Sequence, residues 1–224
     1  MHVVSTHPSD HRMTNALRPH LSRINAPKWV VVSGDRREML EAAIGFHYRG
    51  FKIAHVQAGD TYHSKRHNHP DHATRDAITM LSSVMFCANE RAATNLWNIG
   101  QHDDNVHVTG NPGLDEVVRY AATLDPDRER KGTFQWFPEV YKGAESVWQA
   151  TNVRLDPETF LHTLAHCKLF KTNSSAGILE APIFNTPVEM VGDRQKGRVA
   201  GPYHHPEGKA CEEIARIMRE IVCQ

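Results

Sequence analysis

Short apolar runs alternate with stretches of helical periodicity along the first half of the chain. Lys28–Gly34 (KWVVVSG) is a β-branched run stopped by glycine, which is typical of a buried strand. The residues that follow, as far as Gly50, place apolar side chains at helical spacing and predict a helix. Further along we predict a strand in FKIAHVQAG, a helix running into a strand at Val84–Ala88, a helix in ERAATNLWNIG and a strand in NVHVTGNPG. This alternation predicts a parallel, doubly wound α/β layer.

The second half repeats the alternation after a charged stretch, DPDRERKG, which we expect to be solvated. Short strands are predicted in TNVRLD, KLFKTN and VEMVG, with helices in PETFLHTLAHC and SAGILEAPIF between them. The closing helix, in PEGKACEEIARIMREIVCQ, carries an apolar stripe of Ile214, Ile217, Met218 and Ile221. We therefore predict two α/β lobes, residues 1–122 and 123–224, with a ligand cleft between them.

Composition excludes some classes of protein. The 224 residues are 40% hydrophobic and 23% charged, as in ordinary globular chains. Lysine plus arginine number 26, as do aspartate plus glutamate, so no overall charge attracts the chain to nucleic acid or membrane. The sequence shows no apolar run long enough for a membrane span and no signal peptide at its start. Its four scattered cysteines are interpreted as reduced, and we expect a cytoplasmic location.

The segment from Lys171 to Arg198 holds the candidate nucleotide site. A predicted strand runs into NSSAG and then into a helix, so serine hydroxyls and backbone N–H groups meet at a helix N-terminus, which suits a phosphate. A plain helix cap is the alternative interpretation of NSSAG alone. Glutamate one turn later is placed to reach ribose hydroxyls, and the arginines of GDRQKGR are candidate diphosphate clamps. The candidate binding residues are Asn173, Ser174, Ser175, Gly177, Glu180, Arg194, Gln195 and Arg198.

Five ordered segments carry a resemblance to a known family. They are VVVSGDRREMLEAA, IAHVQAGDTY, PDHATRDAITMLSSVMF, VTGNPGLDEV and NSSAGILEAPIFNTPVEMVGDRQKGR. Together they resemble the UDP-N-acetylglucosamine 2-epimerases, especially the hydrolysing kind that feeds sialic acid synthesis. The resemblance implies the two-lobed fold of GT-B glycosyltransferases, with UDP bound between the lobes. It also implies removal of the C2 proton of the sugar and expulsion of UDP, with no cofactor and no metal.

By motif position, the resemblance implies acid–base roles for Asp35, Asp60 and Asp71. Arg75 is expected to orient its helix or touch phosphate. His55 is either a substrate contact or a satisfied core histidine. Further candidate binding residues, in a turn of the VTGNPGLDEV segment, are Gly110 and Asn111.

Several departures from the family pattern leave alternatives open. Ala58-Gly59-Asp60 stands where the family has Gly-Gly-Glu, so the carboxylate is one methylene shorter. The chain is also shorter than family members, and the family's first βαβ unit has no counterpart. A diverged glycosyltransferase is therefore a second hypothesis, possible in a phage, where the acceptor would be hydroxymethylated DNA and the location the host cytoplasm. The basic loop His63–His69 is its only local support.

An inactive UDP-sugar-binding module is the third hypothesis, and a homo-oligomer is possible in each case. The histidines near Asp71 have no standard zinc spacing, so we predict no metal site there.

Overall fold

A computed structural model describes residues 29–60, 70–137, 155–193, 195–196 and 201–223, with strand residues 141–142 and 147–148. Its contacts divide the chain into two units. The described part of the first unit comprises residues 29–60, 70–109 and 214–223, and the described part of the second unit lies within residues 110–213. The contacts thus change unit after Thr109 and again at Ile214, whereas the predicted lobe boundary at residue 122 stays a prediction.

The first unit is an α/β layer. Its elements are β1 (Trp29–Ser33), α1 (Arg37–His47), β2 (Lys52–Ala58), α2 (Pro70–Met80), β3 (Val84–Cys87), α3 (Glu90–Trp97) and β4 (Val106–Val108). Among the described residues, the strands form one parallel sheet in the order β1-β2-β3-β4. The parallel α/β layer predicted for this half of the chain is confirmed, but its described strands follow one another in chain order, so the double winding that was predicted is not seen in them.

The second unit contains two sheets in its described part. Its elements are α4 (Asp115–Ala122), β5 (Thr133–Trp136), β6 (Tyr141–Lys142), β7 (Val147–Trp148), α5 (Pro157–His166), β8 (Leu169–Thr172), α6 (Ala176–Leu179), β9 (Val188–Met190) and the start of α7 (Ala210–Val222). Strands β5, β8 and β9 are parallel in the order β5-β8-β9, and β6 pairs antiparallel with β7. Strands β5, β6 and β7 and helix α4 were not predicted.

Apolar faces on both sides of the first sheet hold it in place. One cluster joins Val56 and Phe86 of the sheet to Ile214 and Ile217 of α7, and Met218 and Ile221 pack at its edge, so the predicted stripe is confirmed. A second cluster joins Val32 and Ile53 to Ala43 of α1 and Ile78 of α2. Successive strand residues face opposite sides, so β2 contributes Val56 to one cluster and Ile53 to the other.

Two of the elements predicted in the second half need correction. SAGILEAPIF is not one helix, since α6 ends at Leu179 and a 3-10 turn follows over Ala181–Phe184, where Pro182 lacks an N–H for the helical ladder. In TNVRLD, only Leu155 and Asp156 are described; they are not a strand, and Asp156 caps α5 by accepting from the Thr159 N–H at 2.9 Å.

The charged stretch is not simply solvated, because two of its arginines are half-buried. Arg128 donates to the main-chain oxygens of Ala165 and Phe184 at 2.9 Å each. Arg130 donates to Phe184 O at 2.6 Å and Asn185 O at 3.1 Å. Burial, and then the neighbouring charge of Arg130, lower the pKa of Arg128. These arginines satisfy carbonyls at the ends of helical turns.

Candidate functional site

Two of the predicted acid–base residues follow neighbouring parallel strands. Asp35 and Asp60 each lie two residues beyond the end of their strand, after Gly34 and Gly59 respectively. We call Gly34–Asp35, after β1, the first exit turn and Gly59–Asp60, after β2, the second exit turn. The Gly34 N–H donates to Val56 O at 3.0 Å, which holds the first exit turn against β2. The carboxyl ends of parallel strands share one edge of a sheet, where ligands of such folds commonly bind.

Arg75 of α2 joins the two exit turns. Its side chain is 6% exposed and that of Asp35 is 24% exposed. Nη2 of Arg75 donates to the Asp35 carboxylate, and Nη1 donates to the main-chain oxygen of Asp60. Nε of Arg75 has no hydrogen-bond partner in the described part of the chain. The rigid guanidinium fork therefore fixes both turns relative to α2.

Asp71 lies one helical turn before Arg75 on α2. Residues four apart on a helix share one face, so Asp71 and Arg75 lie along the same side of α2. Asp71 is half-buried. The three candidate carboxylates thus relate to Arg75 in three ways: Asp35 by its side chain, Asp60 through its main chain, and Asp71 by helical spacing. Their catalytic roles remain predictions.

Gly59 is required by close packing at the second exit turn. Its φ is +74°, and a β-carbon there would lie 2.2 Å from the main-chain oxygen of Ala92 in α3. Nδ2 of Asn95, also in α3, donates to Gly59 O at 2.9 Å. The glycine of the AGD sequence therefore lets helix α3 approach the backbone and sets where Asp60 begins.

His55 lies in β2 and is completely buried. Its Nε2 is 2.9 Å from Gly34 O and its Nδ1 is 3.0 Å from the Thr79 hydroxyl. Burial lowers the pKa of His55 from 6.5 to about 4. Both ring nitrogens have partners within the protein, which favours the core-histidine interpretation over a substrate contact.

The NSSAG turn follows β8 in the second unit. The Thr172 hydroxyl accepts from the Ser174 N–H at 3.0 Å, and the Ser174 hydroxyl accepts from the Ala176 N–H at 3.2 Å. Asn173 is fully buried, and Ser175 is half-buried just before α6. The turn is thus built from local side-chain-to-backbone bonds, although Ser175, the residue directly before α6, makes no side-chain cap bond. The helix that it precedes has only four residues.

The remaining candidates of this segment have mixed positions. Gly177 allows α6 to pack on the sheet, since a β-carbon there would lie 2.9 Å from Cγ1 of Val188 and 2.6 Å from Sδ of Met190. Glu180 is half-buried, and Gln195 is buried with an amide oxygen that has no partner in the described residues. The predicted clamps, Arg194 and Arg198, lie outside the described residues.

Gly110 and Asn111 contact the backbone of their own unit. A β-carbon on Gly110, whose φ is +87°, would lie 2.5 Å from His205 N. The Asn111 N–H donates to Tyr203 O at 2.7 Å, and its side-chain oxygen accepts from the Gly113 N–H at 2.9 Å. These contacts hold the turn against the segment before α7. The role in substrate binding predicted for Gly110 and Asn111 is not tested by these contacts and stays a prediction.

Asp115, which sequence reasoning missed, also holds the region around this turn to the start of α7. It is buried, and its two carboxylate oxygens accept from the N–H groups of Ala210 at 2.9 Å and Cys211 at 2.8 Å. A carboxylate at this position satisfies the open donors of the first turn of α7. The aspartate of GNPGLD was visible in the sequence, but its partner 95 residues away was not.

No cluster of three or more metal-ligating side chains occurs in the part of the chain that the structure describes. A cavity of about 310 Å³ lies near the amino ends of β5 and β8 and is lined by Lys131, Thr163, His166 and Cys167, among others. None of its lining residues was a predicted site residue. Within the described residues, no helix has the length and apolar character needed to cross a membrane.

Comparison with known sequences finds a family. The family model described as UDP-N-acetylglucosamine 2-epimerase matches residues 5–142. The chain is 28% identical over 223 residues to the UDP-N,N'-diacetylbacillosamine 2-epimerase (hydrolyzing) of Legionella pneumophila, covering 77% of this chain and 58% of that protein. It is 26% identical over 226 residues to the UDP-N-acetylglucosamine 2-epimerase of Neisseria meningitidis serogroup B, covering 78% and 58%. The chain thus spans somewhat more than half the length of these curated relatives.

Comparison with solved structures agrees on the fold. A Neisseria meningitidis UDP-GlcNAc 2-epimerase bound to UDP-GlcNAc aligns with a TM-score of 0.72 at 14% identity, over 93% of this chain and 80% of that one. The Methanocaldococcus jannaschii enzyme in complex with UDP-GlcNAc and UDP aligns with a TM-score of 0.67 at 18% identity, over 93% and 80%. The GT-B-like α/β fold predicted from the sequence is confirmed.

Proposed function

Because the chain belongs to the UDP-N-acetylglucosamine 2-epimerase family, we propose that it acts on a UDP-linked N-acetylated amino sugar. The proposed reaction removes the C2 proton and eliminates UDP. One observation carries the proposal: Arg75 joins the Asp35 carboxylate to the main chain of Asp60, at the neighbouring exits of β1 and β2. Carboxylates held in fixed positions at one edge of a sheet are what proton transfer at carbon needs.

The reaction balances without a redox partner. A carboxylate takes the C2 proton, and the C–H electron pair forms the C1–C2 double bond as the bond from C1 to the UDP oxygen breaks. UDP leaves with the electron pair of the broken bond between C1 and its oxygen. If UDP returns to C1 and a proton adds to the opposite face of C2, the product is the UDP-linked 2-epimer. If water adds across the double bond instead, the product is the free 2-epimeric sugar. The Legionella relative carries the word hydrolyzing in its name, which favours the second course.

We assign the acid–base work to Asp35, Asp60 and Asp71 in this proposal. Arg75 is committed to the Asp35 carboxylate and the Asp60 carbonyl, so its role is to orient the group rather than to bind phosphate. The shorter Asp60 depends most on this support, because its main-chain oxygen is the atom that Arg75 holds.

The nucleotide end of the proposed site comprises the NSSAG turn and the residues after it. Ser175 and Glu180 are half-buried there, while Ser174 is engaged with its own turn. We therefore expect Ser175, Glu180 and the main chain of the turn to meet UDP more directly than Ser174 does. Roles for Arg194 and Arg198 as diphosphate clamps remain part of the proposal. So does a cytoplasmic location, whereas an acceptor DNA and an oligomer have no support in the described contacts.

Proton NMR in deuterated water tests the proposal. The purified protein is incubated with UDP-N-acetylglucosamine, and the sugar signals are followed with time. We expect loss of the C2 proton signal together with release of UDP and the free 2-epimeric sugar. Loss of the C2 signal with only the UDP-linked epimer would indicate the non-hydrolysing course. Bound UDP-sugar with an unchanged C2 signal contradicts the proposed reaction, and a sugar transferred to an added acceptor would support the glycosyltransferase hypothesis instead.

A further inference from the structure

We propose that His55 and Thr79 are positioning residues that hold the Gly34–Asp35 turn in place for Asp35. The inference rests on the proposed function, because it assigns a purpose to the placement of Asp35. Neither side chain is placed to touch substrate: both are completely buried. They act through the main chain of Gly34, the residue directly before the candidate carboxylate.

The hydrogen-bond partners of His55 select one tautomer. A main-chain carbonyl only accepts, so Nε2 of His55, 2.9 Å from Gly34 O, carries the proton. In the neutral ring Nδ1 is then an acceptor, and the Thr79 hydroxyl, 3.0 Å away, donates to it. The complete burial of His55 disfavours a charged ring, in agreement with its lowered pKa. Thr79 therefore fixes which ring nitrogen faces Gly34.

The same face of α2 carries a second connection to this turn. Arg75 and Thr79 are four residues apart, so they lie one above the other along the helix. Arg75 holds the side chain of Asp35, and Thr79, through His55, holds the carbonyl of Gly34. Two adjacent residues of the β1 exit are thus fixed by two successive turns of one helix. The Gly34 N–H is fixed as well, through Val56 O at 3.0 Å.

A consequence for turnover follows from this double attachment. Loss of the Thr79 hydroxyl leaves Nδ1 of a buried ring without its donor, which frees the ring to rotate or to change tautomer. The Gly34 carbonyl then loses a defined partner, and the Asp35 carboxylate is held by Arg75 alone. A displacement of about an ångström in a catalytic group lowers turnover by up to about a hundredfold. Substrate affinity should change much less, because the nucleotide end is untouched.

Thr79→Val and Thr79→Ser form the matched pair that tests this. Valine keeps the shape of threonine and removes the hydroxyl, whereas serine keeps the hydroxyl and removes a methyl group. With UDP-N-acetylglucosamine as substrate, we expect Thr79→Val to lower kcat roughly tenfold to a hundredfold with KM within about threefold. Thr79→Ser should retain most of kcat. Equal losses of kcat in the two variants, or wild-type kcat in Thr79→Val, would overturn the proposal.

A second readout does not depend on activity. Nitrogen-detected NMR of histidine-labelled protein reports which ring nitrogen of His55 bears the proton, and amide spectra report the environment of Gly34 and Asp35. We expect the Nε2–H tautomer, and amide shifts at Gly34 and Asp35 that move in Thr79→Val but not in Thr79→Ser. The Nδ1–H tautomer, or unmoved amides in Thr79→Val, would overturn the positioning role. An inactive wild-type protein with the expected spectra would instead defeat the proposed function and leave the positioning contacts supported.

Discussion

The exit turns of the first unit and the NSSAG turn of the second unit both follow parallel strands, but their polar side chains are engaged differently. In the first unit, Arg75 bonds to Asp35 across 40 residues and His55 bonds to Thr79 across 24. In the second unit, Ser174 bonds to Thr172, Ala176 and Gly177, which are two or three residues away. Long-range bonds fix where a carboxylate lies relative to other elements, whereas short-range bonds shape a turn.

Of the substitutions considered, Asp60→Asn should lower turnover the most. Unchanged turnover would mean that the tightly held turns of the first unit do not carry the proposed chemistry. The amide cannot accept the C2 proton, so we expect turnover to fall by about a thousandfold or more. UDP affinity, measured by calorimetry, should stay within about threefold, because the residues proposed to bind the nucleotide are unchanged. Asp104→Asn, at an exposed carboxylate outside the candidate site, is the matched control and should keep full activity. Full activity in Asp60→Asn would remove Asp60 from the acid–base group.

Gly59→Ala tests whether the second exit turn is as tightly packed as the contacts indicate. The new β-carbon would lie 2.2 Å from Ala92 O, and the backbone there cannot yield as a flexible side chain can. Gly50→Ala is the control, since Gly50 also has a positive φ, +77°, but nothing within 4 Å of its β-carbon. In denaturant unfolding, we expect Gly59→Ala to lose about 3 kcal/mol more than Gly50→Ala. Equal losses would show that the turn relaxes freely.

Acid should weaken the first unit through His55. The pKa of His55 is lowered from 6.5 to about 4 in the folded protein, so the unfolded chain binds more protons between these values. The free energy of unfolding therefore falls as the pH drops through this window, by up to about 3 kcal/mol from this residue. Comparison of wild type with His55→Gln across the window isolates the effect. A variant with the same pH slope as wild type would contradict the assignment.

Ser174→Ala should change stability and UDP affinity the least. It tests whether the Ser174 hydroxyl serves the NSSAG turn itself rather than a ligand. Its hydroxyl accepts from the Ala176 N–H at 3.2 Å, so its loss should reduce stability by about 1 kcal/mol. UDP affinity should change less than about threefold if the hydroxyl serves the turn. A tenfold or larger loss of UDP affinity, with stability unchanged, would instead make Ser174 a direct phosphate ligand.

Most elements were predictable because their signals are local. Apolar periodicity located β1, α1, β2 and the stripe of α7, since burial of one face is recorded in residue spacing. Strand β5 was missed because TFQW is only partly apolar and follows a charged stretch. The helix predicted over SAGILEAPIF is longer than the one observed, because Pro182 does not continue the helical hydrogen bonds.

In the candidate site, the motifs picked out Asp35, Asp60 and Arg75 as residues but not the bonds among them. The charged stretch was misjudged because arginines that satisfy helix-end carbonyls and arginines in solvent look the same in a sequence.

Residue types, spacing and order were thus enough for the α/β class, the family resemblance and the candidate carboxylates. Tertiary structure alone decided that Arg75 faces two exit turns, that His55 is a buried neutral ring, and that Asp115 caps a helix 95 residues away. The physical reason is the distance along the sequence over which each kind of interaction acts. Periodicity and turn chemistry act over a few residues, whereas the partner of a buried polar group is chosen by whichever distant segment folding brings within hydrogen-bonding distance.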